Sequence, residues 1–196
     1  SEAFQATSKA LNVTTAVASR VGLGVGAGGS RFNSNNWNSN TGYIQVTVTA
    51  TDGYVLNLKN KPFSISMGSS NTGPNGYVLR SSVDNYANPI QNINTACGSS
   101  VHTANNFNLP DLDAYDGLSS ITFRIFRSSA TACNNSSLAA TGTGGFNSLT
   151  INGTVEEDGV QVPSLDTIPL STSSILVDAI SPDGNNVIVA YNAENS

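Results

Sequence analysis

Through the middle of the chain, hydrophobic residues recur at every second position. Ile44, Val46, Val48 and Ala50 alternate with Gln45, Thr47 and Thr49. Phe63, Ile65 and Met67 alternate with Ser64 and Ser66, and Ile121, Phe123 and Ile125 with Thr122, Arg124 and Phe126. Successive side chains of a strand leave opposite faces, so each run predicts a strand with one apolar and one polar face. A Thr-Asp-Gly turn at Thr51–Gly53 leads into a strand over Val55–Leu58, Tyr77–Arg80 makes another, and a Thr-Gly-Thr-Gly-Gly turn precedes a strand over Phe146–Val155. Strands punctuated this often by turn residues predict an all-β fold, an antiparallel β-sandwich of jelly-roll-like type.

The two ends read differently. Ala3–Ala18 is rich in Thr, Val and Ser and predicts strand plus loop, with a short helix as the alternative. Gly22–Gly29, GLGVGAGG, lacks a following Lys-Ser/Thr and predicts a strand or bulge rather than a phosphate loop. Beyond the acidic turn at Glu156–Gly159, Pro163 and Pro169 punctuate a linker, and a hairpin follows: Ile175–Ile180, a turn at Ser181–Asn186, and Val187–Tyr191. The expected division is an extended segment at 1–10, a sandwich at 11–158, and a linker plus C-terminal β-hairpin at 159–196. The apolar hairpin strands need cover from this domain or from a neighbouring subunit. Phe4, Ile175, Val177, Val187 and Val189 are therefore the candidate subunit contacts.

Composition narrows the setting. Charged residues are 11% of the chain, against about 25% in ordinary globular proteins. Ser, Thr and Asn supply 70 of 196 residues, so the polar faces are neutral, which suits an extracellular or cell-surface place. A net charge of −5 and scattered basic residues argue against nucleic acid as a partner. Apolar runs such as Val187–Tyr191 are too short for membrane insertion through a helix. The start at Ser1 suits a processed mature form or a trimmed chain. Cys97 and Cys133 lack metal-ligand spacing, and outside the cell they are expected to form one disulfide.

Four stretches, "GAGGSRFNSNNWNSNTGYIQVTVTATDGY", "LKNKPFSISMGSSNTGPNGYVLRSSVDNYA", "LSSITFRIFRSSA" and "GTGGFNSLTINGTV", occur in an order that resembles a repeated extracellular β-sandwich domain. That domain is found in surface and secreted proteins of Bacteroidetes, cyanobacteria and relatives, often with sorting signals of the type IX or PEP-CTERM kind. The resemblance covers residues 10–155 and implies a jelly-roll-like fold and an extracellular place, without a defined activity. The two cysteines and the hairpin after residue 160 depart from the family pattern.

Candidate chemistry is sparse. His102, the single histidine, has no acidic or cysteine neighbour in sequence, and neither HExxH nor GxSxG occurs, so no enzyme is expected. Asp111, Asp113 and Asp116 with Gly117 form D-x-D-x-x-D-G, which fits either a structural calcium or a turn whose aspartates accept from backbone amides. No other cofactor is expected. Trp37 lies among Asn33, Asn35, Asn36 and Asn38, with Tyr43 following. Trp37, Asn36 and Tyr43 could face a sugar, whereas the family pattern, which also has a Trp here, favours packing for Trp37. Tyr77, Tyr86 and Tyr115 are further platforms or core residues. Arg124 and Arg127 read as strand-surface residues, with Arg124 paired to an acid such as Asp84. Asn12, Asn134, Asn135 and Asn152 begin N-x-S/T sequons and are candidate glycosylation sites.

Together these features point to a non-enzymatic extracellular structural or adhesive subunit. Its expected partner is itself, in a homo-polymer, fibre or matrix built by exchange of terminal strands. The alternative is a carbohydrate-binding module of a secreted protein, with a polysaccharide as partner.

Overall fold

A computed structural model describes residues 4–27, 32–98, 101–159 and 186–192, the last stretch as backbone. The strands are β1 Phe4–Gln5, β2 Ser8–Lys9, β3 Val13–Val21, β4 Gly24–Val25, β5 Phe32–Asn35, β6 Tyr43–Ala50, β7 Tyr54–Asn57, β8 Pro62–Ser69, β9 Tyr77–Ser81, β10 Gln91–Ile93, β11 Ala96–Cys97, β12 Thr103–Asn108, β13 Ser120–Arg127, β14 Gly144–Glu157 and β15 Asn186–Asn192. Each alternating run in the sequence lies within one of them.

Two sheets form an all-β sandwich. One has six strands in the order β1-β3-β6-β13-β9-β10, all antiparallel. The other is organised around β14, which pairs with β8, β5, β15 and β7. β12 lies antiparallel beyond β8, while β11 pairs with β8 in parallel over two residues. The inward residues of the first sheet include Ile44, Val46, Val48, Leu79, Ile121, Phe123 and Ile125, and those of the second Phe63, Ile65, Met67, Phe146, Leu149 and Ile151; all are buried. Phe63 and Phe123 meet edge-to-face across the layers with centroids 5.4 Å apart. Truncating either ring to alanine costs about 3–5 kcal/mol.

The N-terminal stretch is strand and loop with no helix among its described residues. The Gly-rich segment contributes β4, paired to β5; residues 28 and 29 lie outside the described residues. The expected Thr-Gly-Thr-Gly-Gly turn is partly strand, because β14 already begins at Gly144. Glycine is required there: a Cβ at Gly144 would collide with the Tyr77 hydroxyl, and one at Gly145 with the Phe32 carbonyl. The strands without a sequence signal, FNSN, QNI and TANNFN, carry too few apolar residues to reveal a period.

Both ends of the chain join these sheets. β1 pairs with β3, and β15 pairs with β14 and with β2, so residues 4–9 and 186–192 share hydrogen-bonded sheets with the 11–158 body. The expected arm Ile175–Ile180, with Ile175 and Val177, lies outside the described residues. Cys97 and Cys133 are bonded, with Cα atoms 5.6 Å apart. The bridge ties the end of β11 to the loop after β13, and closing a chain loop of this size contributes about 3–4 kcal/mol through the unfolded state.

Candidate functional site

Along β13, buried Ile121, Phe123 and Ile125 alternate with half-buried Thr122, Arg124 and Phe126, which therefore lie on the outer face of the six-stranded sheet. Register sets Gln45 beside Arg124 on one side and Arg80 on the other. Arg124 Nε donates to Gln45 Oε1 at 3.3 Å. Its guanidinium carbon lies 3.7 Å from the centroid of the Tyr86 ring and 4.5 Å from that of Tyr43. The electron-rich faces of both rings attract the cation. Among the described residues, the terminal nitrogens of Arg124 have no hydrogen-bond partner, and its charge meets no carboxylate at ion-pair distance.

The position of Tyr86 is built by the turn after β9. A 3-10 turn at Ser82–Asp84 is followed by two left-handed residues, Asn85 at φ 56° and Tyr86 at φ 61°. Asparagine tolerates that region; tyrosine rarely adopts it, at a cost of about 1–3 kcal/mol. Five hydrogen bonds hold this turn. Tyr86 N–H donates to Ser81 O at 2.8 Å. Arg80 Nη1 donates to the carbonyls of Tyr86 and Ala87, each at 2.8 Å. Asp84 Oδ2 accepts from the Asn88 backbone amide at 2.9 Å and from Asn88 Nδ2 at 3.0 Å. The amide bond, foremost, holds the Asp84 carboxyl below its ordinary range.

Around this group the outer face is graded. One row across the sheet is apolar: Val21, Tyr43, Phe126 and Val78, with the Tyr43 and Phe126 rings 5.0 Å apart. Farther along, hydroxyls pair across strands, Thr47 with Thr122 at 3.1 Å and Thr49 with Ser120 at 2.9 Å.

The other candidates are placed elsewhere. Trp37 is fully buried; its Nε1 donates to Ser34 O at 2.9 Å and Gly144 O at 3.3 Å, and its ring meets Tyr77 edge-on at 5.2 Å. It is a core residue with no face for a sugar, which corrects the expected Trp37–Asn36–Tyr43 grouping. Asn36 is exposed at φ 63°. Tyr77 and Tyr115 are also buried, their hydroxyls bonded to Ser69 and Ser81 at 2.7 and 2.8 Å. The expected Arg124–Asp84 pair does not form; Asp84 serves the turn instead. Arg127 is on the inward phase rather than the polar one, at the strand end, where it donates to Asn40 Oδ1.

Asp111, Asp113 and Asp116 gather around a lysine. Lys59 Nζ is 2.6 Å from Asp113 and 3.7 Å from Asp111, and Asp116 Oδ1 accepts from the Lys59 backbone amide at 3.0 Å. The Lys59 hydrogen bond depresses the Asp113 carboxyl, and the same bond raises Lys59 above 10.5. Among the described residues, no group of three acidic, histidine or cysteine side chains is arranged to hold a metal ion; an ammonium sits where a shared cation would.

Phe4 packs near Phe32 at 5.7 Å, and the backbone of Val187 and Val189 pairs with Asn152 and Ile151 of the same chain. Of the sequons, Asn134 and Asn135 are exposed, and Asn134 Oδ1 accepts from Ser136 Oγ at 2.6 Å. Asn12 is half-buried, as is Asn152, whose Nδ2 donates to Pro62 O at 3.1 Å. The signals that sequence could have offered for the Arg124 group were Arg124 on the polar phase and the Asp-Asn-Tyr turn; nothing in the sequence says that the turn folds back over β13.

No family model matches the chain, and no curated protein matches it. Among solved structures, it is similar to the K3 cleaved adhesin domain of Lys-gingipain (Kgp) from Porphyromonas gingivalis, at 13% identity and a TM-score of 0.32, over 67% of this chain and 71% of that one. A superposition of that quality carries no argument about this chain, so function is argued from its own residues.

Proposed function

We propose that the protein is a non-enzymatic extracellular adhesive domain that makes contact through the outer face of its six-stranded sheet. One observation carries this. Arg124 is held over Tyr43 and Tyr86, the second in a strained left-handed conformation, with its terminal nitrogens left without a partner among the described residues. Strain at a half-buried aromatic beside a cation with no carboxylate partner among the described residues costs stability and is retained where it prepares a contact. Arg and Tyr are also the side chains that dominate binding surfaces. The disulfide supports an oxidising, extracellular place. The test is binding of the whole chain to surfaces coated with glycans and matrix proteins. Wild type binds, and Arg124→Ala and Tyr86→Ala each weaken retention about tenfold or more, at one hydrogen-bonded charge or stacked ring per substitution. Retention indifferent to both substitutions would overturn the proposal.

A second arrangement is favoured by β15. The last described strand enters the sheet between β14 and β2, far along the chain from the end of β14 at Glu157. A strand placed so late can be supplied by a neighbouring copy, giving a fibre by exchange. Electron microscopy of the whole chain and of a form ending at Gly159 tests this: fibres from the first and monomers from the second are expected, and fibres from both would exclude exchange through β15.

A further inference from the structure

We infer that the Arg124 group takes an acidic sugar, a carboxylate or sulfate carried on a polysaccharide. This deepens the adhesive face proposed above and rests on it. A guanidinium presents its donors in a planar fork that matches a carboxylate or sulfate two bonds at a time. At Arg124 the fork is oriented before any ligand arrives: Nε is fixed by Gln45 Oε1, the charge lies over two rings, and Arg80 fixes the turn that brings the second ring. Orientation in advance removes part of the ordering cost of binding. The protein is acidic overall, at −5, yet this cation lacks an internal counter-ion among the described residues. An anion supplies one.

The surroundings decide between a sugar and an acidic peptide. An extended peptide draws affinity from main-chain hydrogen bonds at a sheet edge. β13 is paired on both sides, to β6 and to β9, so at Arg124 no backbone donors are free. A peptide would meet side chains alone. A pyranose matches what those side chains offer. Along a polysaccharide, the apolar C–H face of one residue fits the row of Tyr43, Phe126 and Val78, and the hydroxyls of residues farther along the chain can enter the Thr47–Thr122 and Thr49–Ser120 pairs, where every member both donates and accepts. The neighbouring Arg80 spends its Nη1 on the Tyr86 and Ala87 carbonyls, so recognition is by one oriented fork at Arg124 rather than by a diffuse positive field.

The experiment measures the whole chain on immobilised polygalacturonate, dextran sulfate, uncharged dextran and poly-glutamate. Binding to polygalacturonate or dextran sulfate is expected, the better of the two identifying the anion, with affinity falling as salt rises. Arg124→Lys keeps the charge but loses the fork and is expected to weaken binding about tenfold or more. Lys59→Ala lies off the site and is expected to bind like wild type. Thermal unfolding of each variant checks the fold. As a readout free of substitutions, titrating wild type with a galacturonate oligosaccharide is expected to shift the Arg124 side-chain resonances. Dextran bound as well as its sulfate, with the Arg124 dependence intact, would overturn the acidic-sugar inference and leave the adhesive face standing. Equal binding to poly-glutamate would overturn the glycan class. Binding to none of the four, with no shift of the Arg124 resonances, would overturn the inference as well. Binding unaffected by Arg124→Lys, with those resonances unmoved, would overturn both the inference and the face.

Discussion

Two cations of this molecule are handled in opposite ways. Lys59 sits at a loop corner among Asp111, Asp113 and Asp116, with a carboxylate oxygen 2.6 Å from its ammonium. Arg124 sits on a strand over two aromatic rings, without a carboxylate among the described residues. The first charge is neutralised within the protein and has nothing left for a partner. The second is oriented but not neutralised: rings hold its position while its terminal donors stay unspent. A sequence in which only 11% of residues are charged leaves few such groups to place. The difference marks which region is structural and which is prepared for contact.

The largest effect on this contrast is expected from Arg80→Ala. It removes two charge-assisted hydrogen bonds to the carbonyls of Tyr86 and Ala87, worth about 1.5–3 kcal/mol for bonds to a charged group. The denaturation midpoint should fall accordingly, and the Tyr86 ring should lose its fixed place over Arg124, seen as averaging of its ring resonances. A full stability loss with an unmoved Tyr86 ring would show that Arg80 braces the sheet and not the site. Tyr86→Asn comes next. Asparagine accepts the left-handed backbone, so a strain of about 1–3 kcal/mol is relieved while a cation–π contact of about 0.5–2 kcal/mol is lost. On that balance stability should fall by no more than about 1 kcal/mol and rise by no more than about 2.5 kcal/mol, whereas binding falls. A matched loss of both would mean that the turn is ordinary packing.

The sandwich was legible because its central strands carry strict alternation. Ile44–Ala50, Phe63–Met67 and Ile121–Phe126 each lie within a strand, with the apolar phase inward up to Phe126, which faces out. The strands FNSN, QNI and TANNFN were not legible, since their pairing rests on backbone hydrogen bonds that leave little trace in side-chain pattern. The candidate site was half legible. Tyr43 was singled out, but for its closeness in sequence to Trp37, and the two face opposite ways: Trp37 into the core and Tyr43 onto the outer sheet. Tyr86 reaches Arg124 from 38 positions earlier through a turn whose left-handed residues no local period announces. The Asp111–Asp116 spacing suggested calcium because the sequence does not reveal that Lys59, in the turn between β7 and β8, folds against it.

The smallest effect separates the two regions by pH. Asp84 and Asp113 are both held below their ordinary 3.8, Asp84 foremost by the Asn88 amide and Asp113 by Lys59. A depressed carboxyl contributes stability that is fully present above its unfolded value and is lost as pH falls through its folded value. Carboxyl carbon resonances of both residues should therefore titrate with midpoints below 3.8. The consequences differ. Protonating Asp84 releases the Asn88 amide and loosens the turn that carries Tyr86, so the Tyr86 ring resonances should follow the Asp84 midpoint. Protonating Asp113 frees only an exposed ammonium, so nothing on the outer sheet should follow its midpoint. Lys59→Met, which leaves Asp113 without its partner, should return the Asp113 midpoint toward 3.8 and leave that of Asp84 unmoved. Tyr86 resonances that track Asp113, or that ignore Asp84, would join the two regions into one electrostatic unit and remove the contrast between them.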